Sequence, residues 1–218
     1  MDNSDDDRAP PQELFFRISG ASAMWELNRP QAEILELVEE GLFHGNVLDI
    51  GCGLGDNAIC IATHTNANVV AVDMVSRAIE ISKEKAIEAG VLDKNLKFAV
   101  VNILEPLDNS TRDLLSEGQF DFVLDSGVFH VFRNDDRLRY VEKLKQLLKP
   151  HVGLYVLLVF SEKEKELTER PRLVKQRDLE YLFSKENGWN IESLKDTIIE
   201  SSSSEYNGQA YLSLIRRI

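Results

Sequence analysis

The fold is decided by the stretch Val47-Leu48-Asp49-Ile50-Gly51-Cys52-Gly53-Leu54-Gly55-Asp56-Asn57. Apolar residues run into Asp49, and glycine then stands at every second position from 51 to 55, ahead of a second apolar run that starts at Ala58. This order predicts a buried strand, a tight turn and the start of a helix. Glycine permits positive φ angles and lets a ligand approach the backbone closely, and the first N–H groups of a helix have no partner inside it. The turn is therefore the candidate binding site.

The charges around this turn limit the ligand that it can take. A dinucleotide fingerprint has the spacing G-x-G-x-x-G and receives a pyrophosphate, whereas the spacing here is G-x-G-x-G, with Asp49 before it and Asp56 after it. Two carboxylates would repel a pyrophosphate, which opposes an NAD-dependent oxidoreductase. They suit a ligand with cationic groups, such as S-adenosylmethionine (SAM), which carries a sulfonium, an α-ammonium and one carboxylate. A glycine turn that binds nothing is the remaining alternative.

The composition narrows the class of protein and its partners. A chain of 218 residues with 43% apolar and 28% charged residues suits one globular domain. The formal net charge of −12 disfavours nucleic acid, whose binding relies on Lys and Arg, and it disfavours anionic membrane surfaces.

The ends and the cysteines of the chain suggest a cytoplasmic location. The first seven residues lack the basic and apolar regions of a signal peptide, and the longest apolar run, residues 152–160, is too short to span a bilayer. The two cysteines, Cys52 and Cys60, are expected to be reduced thiols and are too few for a metal cluster. We therefore expect a cytoplasmic protein without a metal.

Apolar periodicity divides the rest of the chain into alternating strands and helices. Residues 1–12 are predicted to be a disordered acidic tail and residues 13–218 one domain, which begins with a lid and a helix over residues 13–45. The predicted helices are 13–22, 31–41, 57–65, 76–90 with Ser76 as the cap, 108–116, 135–149 and 175–184. The predicted strands are 47–50, 68–73, 96–101, 120–124, 152–160, 190–200 and 209–216. Solvated loops are predicted at residues 161–170 and 201–204. Alternation favours a parallel sheet covered on both faces, and the last two strands, with no helix between them, favour an antiparallel hairpin.

Polar residues follow several of the predicted strands. Ligands of open parallel sheets bind at the carboxyl ends of the strands, so Asp73 is expected to accept the ribose hydroxyls of the ligand and Met74 to cover its adenine. Asn102 and Ile103 are expected to read the adenine edge, and the segment 125–130 to face the reacting methyl group. Each has a structural alternative: Asp73 as a helix cap, Met74 and Trp25 as core residues, Asn102 as a turn residue and His130 as a structural histidine.

Three motifs resemble those of a known family. The D-x-G-x-G turn at Asp49 resembles the first motif of class I SAM-dependent methyltransferases. Trp25-x-x-x-Arg29-Pro30 and Asp125-Ser-Gly-Val-Phe-His130 resemble the thiol, halide and thiopurine methyltransferase branch and its small bacterial relatives, in which the segment with the Trp closes over SAM. The chain departs from the common pattern at Asn102, where Asp is frequent, and it lacks the Asn-Pro-Pro-Tyr motif of enzymes that methylate amino groups of nucleic acids.

The resemblance implies an α/β fold, namely one Rossmann-like domain with seven mostly parallel strands in the order 3-2-1-4-5-7-6. It implies SAM as the cofactor, S-adenosylhomocysteine as the product and a small-molecule acceptor, with sulfur favoured. O- or N-methylation of a small molecule or a protein, and a non-catalytic SAM-binding protein, are the alternatives, and we expect a monomer or weak dimer. The predicted catalytic residues are Asp125 and His130. The predicted cofactor-binding residues are Trp25, Arg29, Asp49, Gly51, Cys52, Gly53, Gly55, Asn57, Asp73, Met74, Asn102, Ile103, Asp125 and Ser126.

Overall fold

The glycine turn joins a strand and a helix of an α/β domain, as the sequence predicts. The computed structural model describes residues 23–165, 172–202 and 207–218. The strands are β1 Asn46–Ile50, β2 Asn68–Asp73, β3 Leu96–Val100, β4 Phe122–Ser126, β5 Leu154–Phe160, β6 Trp189–Ile199 and β7 Gly208–Arg217. The α-helices are α1 Ala32–Glu39, α2 Asp56–His64, α3 Ser76–Glu88, α4 Asn109–Leu114, α5 Asn134–Leu147 and α6 Gln176–Leu182, and single 3-10 turns cover Phe129–Val131 and Lys185–Asn187.

Within the described ranges, one seven-stranded sheet has the order β3-β2-β1-β4-β5-β7-β6. The strands β1 to β5 pair in parallel. The strand β7 pairs antiparallel with both β5 and β6, so it lies between them. The predicted fold class and strand order are confirmed. From β1 the chain adds β2 and β3 on one side of the sheet, and it then returns to add β4 and β5 on the other side. The change of side between β1 and β4 is a topological switch point, where ligands bind in open sheets of this kind.

Both faces of the sheet are buried, and the side-chain alternation of β1 assigns its residues to them. Val47 belongs to the apolar cluster formed with α1 and α2, whereas Leu48 and Ile50 belong to the cluster formed with α5 and α6. Successive side chains of a strand point to opposite faces, so Asp49 points to the same face as Val47. The alternation therefore directs this carboxylate toward the helix that follows the glycine turn.

Several predicted boundaries are wrong by a few residues. The strand β4 begins at Phe122 and runs to Ser126, so Asp125 lies inside the strand and not after it. The strand β5 begins at Leu154, since Val152 is 56% exposed. Ser76 is the first residue of α3 and not its cap; the capping position is Val75, which makes no side-chain cap bond.

Some predictions fall on residues outside the described ranges. They are the acidic tail at residues 1–12, the helix at 13–22, and residues 166–170 and 203–204 of the two predicted loops. The domain boundary at residue 13 remains a prediction.

Candidate cofactor and acceptor site

Hydrogen bonds join the glycine turn to the end of β2. The N–H groups of Gly51 and Cys52 donate to the carbonyl oxygen of Val72 at 2.7 and 3.0 Å, and the N–H of Gly53 donates to Oδ2 of Asp73 at 3.0 Å. Gly51 has a φ of 66°, and a Cβ on it would lie 2.1 Å from Cγ2 of Val128, so only glycine fits. The N–H of Gly55 also donates to the carbonyl oxygen of Cys52 at 2.9 Å, so these four turn amides are bonded within the protein. The expectation of free amides concerned a different set, the first N–H groups of the helix that follows.

The Asp73 carboxylate accepts several of the backbone hydrogen bonds at this edge of the sheet. Its Oδ1 accepts the N–H of Val75 at 2.8 Å and its Oδ2 accepts the N–H of Gly53. Burial raises the pKa of the carboxyl, while these backbone hydrogen bonds lower it. A carboxylate has about four acceptor positions. The N–H of Met74 is a third backbone donor to this carboxylate. The acceptor capacity that backbone amides leave unused is available to the ribose, so the predicted role and a structural role at the start of α3 are compatible.

Asp49 is a buried carboxylate with an unsatisfied oxygen. It is 1% exposed and accepts the N–H of Ala58 in the first turn of α2. Its Oδ2 has no hydrogen-bond partner among the described residues, and burial, followed by repulsion from Asp125 and Asp73, raises its pKa well above the usual value. A buried acceptor without a partner costs free energy. A cationic ligand group at the turn would supply what this oxygen lacks, so the residues present fit SAM.

The other residues of the turn and of α2 have protein partners. Asp56 pairs with Lys85 at 2.5 Å, so the second carboxylate of the sequence argument is neutralised by a lysine of α3. Asn57 accepts the N–H of Gln31 through Oδ1 at 3.1 Å, which ties the start of α1 to α2. The Cys52 thiol has its pKa raised well above the usual value by burial and by neighbouring carboxylates, which keeps it protonated. Gly55 is the left-handed capping residue of α2, with a φ of 85°.

Glu26 is a site residue that the sequence argument missed. Its carboxyl lies over the glycine turn, since a Cβ on Gly53 would be 2.7 Å from its Oε1, and it accepts the N–H of Leu54. Burial, and then repulsion from Asp56, raise its pKa to about 7. The sequence feature that could have indicated Glu26 is its position next to Trp25, in the segment predicted to close over the turn.

The two other residues of that segment lie differently from what was predicted. Arg29 makes a bidentate pair with Glu200, just after β6, at 2.8 and 2.9 Å, and the same carboxylate accepts the N–H of Ala32 at 3.0 Å. The structure therefore brings Arg29 to the end of β6 and not to the glycine turn. Trp25 is 39% exposed, and its contact with the cofactor remains a prediction.

The predicted adenine-binding residues lie together near the ends of β2 and β3. Met74 packs beside the buried cluster of Leu54 and Val75. Asn102 uses its Oδ1 to accept the N–H of Leu104 at 3.2 Å, and Ile103 is 6% exposed. Asn102 therefore shapes the turn after β3, which was the alternative reading of this residue, and its contact with adenine remains a prediction.

Asp125 is fully enclosed by the core. It is 0% exposed. Its Oδ2 accepts the hydroxyls of Tyr140 and Tyr155 at 2.8 and 2.9 Å, and its Oδ1 accepts the N–H groups of Val128 and Phe129 at 2.8 and 3.2 Å. Burial raises its pKa to about 6 against these hydrogen bonds. Four donors occupy the carboxylate, so the geometry supports a structural role and argues against its predicted contact with cofactor or acceptor. Ser126, the last residue of β4, is half-buried.

His130 is a buried, neutral histidine. It lies in the 3-10 turn after β4 and is 6% exposed, and its Nδ1 has no partner among the residues that the structure covers. Burial lowers its pKa to about 3, with Arg137 and Arg172 acting in the same direction. A base is most effective when its pKa lies near the working pH, so His130 is a poor base at neutral pH.

The described residues provide neither a metal site nor a membrane-spanning helix. Residues 23–165, 172–202 and 207–218 contain no group of three His, Cys, Asp or Glu side chains placed to hold a metal ion. None of their helices has the length and apolar character needed to cross a bilayer. The cysteines Cys52 and Cys60 are free thiols.

The sheet order, the glycine turn and the carboxylate at the end of β2 define the class of Rossmann-like SAM-dependent methyltransferases. Residues 44–205 match the family model described as a methyltransferase domain, and the chain belongs to that family.

Two relatives are similar in sequence to part of this chain. A 2-heptyl-1-hydroxyquinolin-4(1H)-one methyltransferase of Mycobacteroides abscessus is 34% identical over 63% of this chain, and the match spans only 56% of that protein. An uncharacterized methyltransferase of Schizosaccharomyces pombe is 30% identical over 62% of this chain and 86% of its own length.

A structure from work on the conversion of a disulfide bond into a thioacetal group during echinomycin biosynthesis superposes with a TM-score of 0.76 at 25% identity, over 94% of this chain and 91% of that one. The magnesium protoporphyrin IX methyltransferase of Synechocystis PCC 6803 with bound SAM superposes with a TM-score of 0.62 at 21% identity, over 85% and 76% of the two chains. The second likeness bears on the fold alone.

Proposed function

We propose that this protein transfers a methyl group from SAM to a small molecule. The observation that carries the proposal is the glycine turn held between Asp73 and the buried, half-satisfied carboxylate of Asp49. SAM supplies an already activated methyl group on its sulfonium. The work left to the protein is to bind the cofactor and to hold the acceptor in line, and positioning of this kind can lower a barrier by roughly 7–11 kcal/mol.

Each part of the site has a proposed task. Asp73 accepts the ribose hydroxyls, and Asp49 lies on the side of the cationic methionine portion. Met74 and Ile103 enclose the adenine. Asp125 fixes the end of β4 by joining it to α5 and β5 through two tyrosines, and so shapes the wall beside the acceptor without touching it.

The acceptor is proposed to be a thiol, as in the thiol, halide and thiopurine branch that the sequence resembles. The support is the state of the two candidate bases. His130 is neutral with a pKa of about 3, and the Asp125 carboxylate is occupied by four donors. An acceptor that ionises without help fits such a site, and a free thiol has a pKa of about 8.5.

An acidic hydroxyl is the second candidate. It also ionises without a protein base, and the M. abscessus relative carries a hydroxyquinolinone in its name. A protein acceptor and a silent SAM-binding protein are less well supported, because no feature of the described site favours them. A monomer or weak dimer in the cytoplasm, without nucleic acid as a partner, remains our expectation.

The test is a panel of small thiols, acidic phenols and amines incubated with methyl-labelled SAM between pH 6 and 9. We expect transfer to thiols, with a rate that rises with pH as the thiolate forms. His130→Ala should leave the rate within a fewfold of wild type at every pH, because a histidine with a pKa of about 3 is a poor base in this pH range.

Two outcomes would contradict this account of the acceptor. Turnover confined to amines would refute the self-ionising acceptor, and a loss of roughly 10²–10⁴-fold in His130→Ala would restore that residue as a general base. Turnover of phenols with a small His130 effect would select the second candidate.

A further inference from the structure

We infer that Glu26 is a further cofactor-binding residue, which shares the ribose hydroxyls with Asp73 and couples the segment 23–30 to cofactor binding. This inference rests on the proposed function. It assigns a ligand contact to a residue of the N-terminal segment that neither the glycine motif nor the strand ends point to.

The carboxylates of Glu26 and Asp73 accept hydrogen bonds from two consecutive backbone N–H groups of the turn, so they lie side by side. Asp73 accepts the N–H of Gly53, and Glu26 accepts the N–H of the next residue, Leu54. The carboxyl of Glu26 lies directly over Gly53, where any side chain would meet its Oε1. Glu26 and Asp73 therefore face the same edge of the turn, and a ligand held there by one of them is within reach of both.

The charges at this edge are unbalanced until a ligand arrives. Glu26 is repelled by Asp56 and Asp73, and Lys85 is the cation that opposes this repulsion. Lys85 is itself paired with Asp56. Two neighbouring carboxylates disfavour each other's ionisation, and the repulsion from Asp73 acts on Glu26 in this way. A ribose diol presents two O–H donors, one for each carboxylate, so it matches the pair in number and in kind.

Contacts within the segment extend the effect of a bond to Glu26 to its neighbours. The N–H of Glu26 donates to the carbonyl oxygen of Ala23 at 3.0 Å, so a short turn holds the residue and its neighbour Trp25 in place. Two residues later, Asn28 adopts a left-handed conformation with a φ of 55°, which bends the chain back toward α1. A bond from the ligand to Glu26 would therefore fix the whole segment over the turn.

The test measures binding by calorimetry, with S-adenosylhomocysteine and methylthioadenosine as probes. Methylthioadenosine keeps the ribose and adenine but lacks the amino-acid portion. We expect Glu26→Gln to weaken both probes by a similar factor of about five- to tenfold, because glutamine keeps an acceptor oxygen and loses only the charge. The matched control is Glu40→Gln, an exposed acid at the end of α1, which should bind both probes like wild type.

The pH dependence provides a second readout. Glu26 has a pKa of about 7 without ligand, and O–H donors favour its charged form, so binding lowers that pKa and affinity rises from pH 6 to pH 8, by about tenfold at most. This rise should be absent in Glu26→Gln. The folding stability of the unliganded protein changes with pH in the opposite direction. The pKa of Glu26 is higher in the folded protein than in the unfolded chain, so this residue stabilises the fold at low pH, and that contribution is lost as pH rises through 7. Unliganded Glu26→Gln should therefore melt no lower than wild type at pH 8.

Each remaining outcome decides against the inference. Unchanged or tighter binding of both probes by Glu26→Gln would show that Glu26 is no ligand, and in the second case that it blocks the site. Weakening of S-adenosylhomocysteine alone would place the contact on the amino-acid portion. If wild type binds neither probe, the proposed function fails as well, which distinguishes that failure from the failure of Glu26 alone.

Discussion

Replacement of Asp73 by alanine is expected to weaken the binding of S-adenosylhomocysteine tenfold or more. Hydrogen bonds to a charged group contribute about 1.5–3 kcal/mol each, and a loss of 1.4 kcal/mol already corresponds to tenfold. The effect should exceed that of Glu26→Gln, because Asp73 also holds the N–H of Gly53 and so shapes the turn against which the ligand lies. Calorimetric titration of the purified variant measures the change.

The control for this prediction is Asp73→Asn. Asparagine keeps an oxygen that can accept a backbone N–H group while it removes the charge, so the affinity of this variant should fall between those of wild type and Asp73→Ala. Circular dichroism should show both variants folded. Unchanged affinity in Asp73→Ala would reduce Asp73 to its structural role, the tie between Gly53 and Val75.

The second large effect is expected on stability. Asp125→Ala should lower the free energy of unfolding by about 3–5 kcal/mol, because it leaves two buried tyrosine hydroxyls and two backbone N–H groups without their acceptor. The pKa of Asp125 is raised to about 6, so its contribution to stability is present at low pH and is lost as pH rises through 6. The loss in Asp125→Ala should accordingly be larger at pH 5 than at pH 8.

Urea denaturation at the two pH values measures this difference. Asp135→Ala, which removes an exposed acid in the first turn of α5, is the matched control and should leave the unfolding midpoint close to that of wild type. A variant Asp125→Ala that is as stable as wild type but binds cofactor poorly would restore the original prediction, in which Asp125 acts at the site.

The sheet and its ligand-binding edge could be predicted because they depend on local patterns. Short apolar runs that alternate with helical periodicity determine parallel strands, and glycine at 51, 53 and 55 determines the turn. Asp73 follows from the end of its own strand. None of these inferences needs a contact between distant parts of the chain, and the resemblance to a family then supplies the strand order.

The predicted site residues that have unexpected partners in the structure depend on long-range contacts. The sequence predicts that Asp125 is an acid at the end of a strand and faces the ligand. In the structure its carboxylate accepts hydrogen bonds from Tyr140 of α5 and Tyr155 of β5. The sequence predicts that Arg29 contacts the cofactor, but its side chain pairs with Glu200, which lies 171 residues further along the chain. No pattern within either segment indicates these partners. Glu26 was missed for the same reason, since its position over Gly53 follows from how the N-terminal segment packs.

The most direct test of the central claim is calorimetric titration of the wild-type protein with SAM, S-adenosylhomocysteine and NAD. We expect SAM and S-adenosylhomocysteine to bind at one site, because Asp49 and Asp73 present carboxylates to cationic and hydroxyl groups, and we expect no binding of NAD, whose pyrophosphate those carboxylates repel. Binding of NAD with none of SAM would contradict the account.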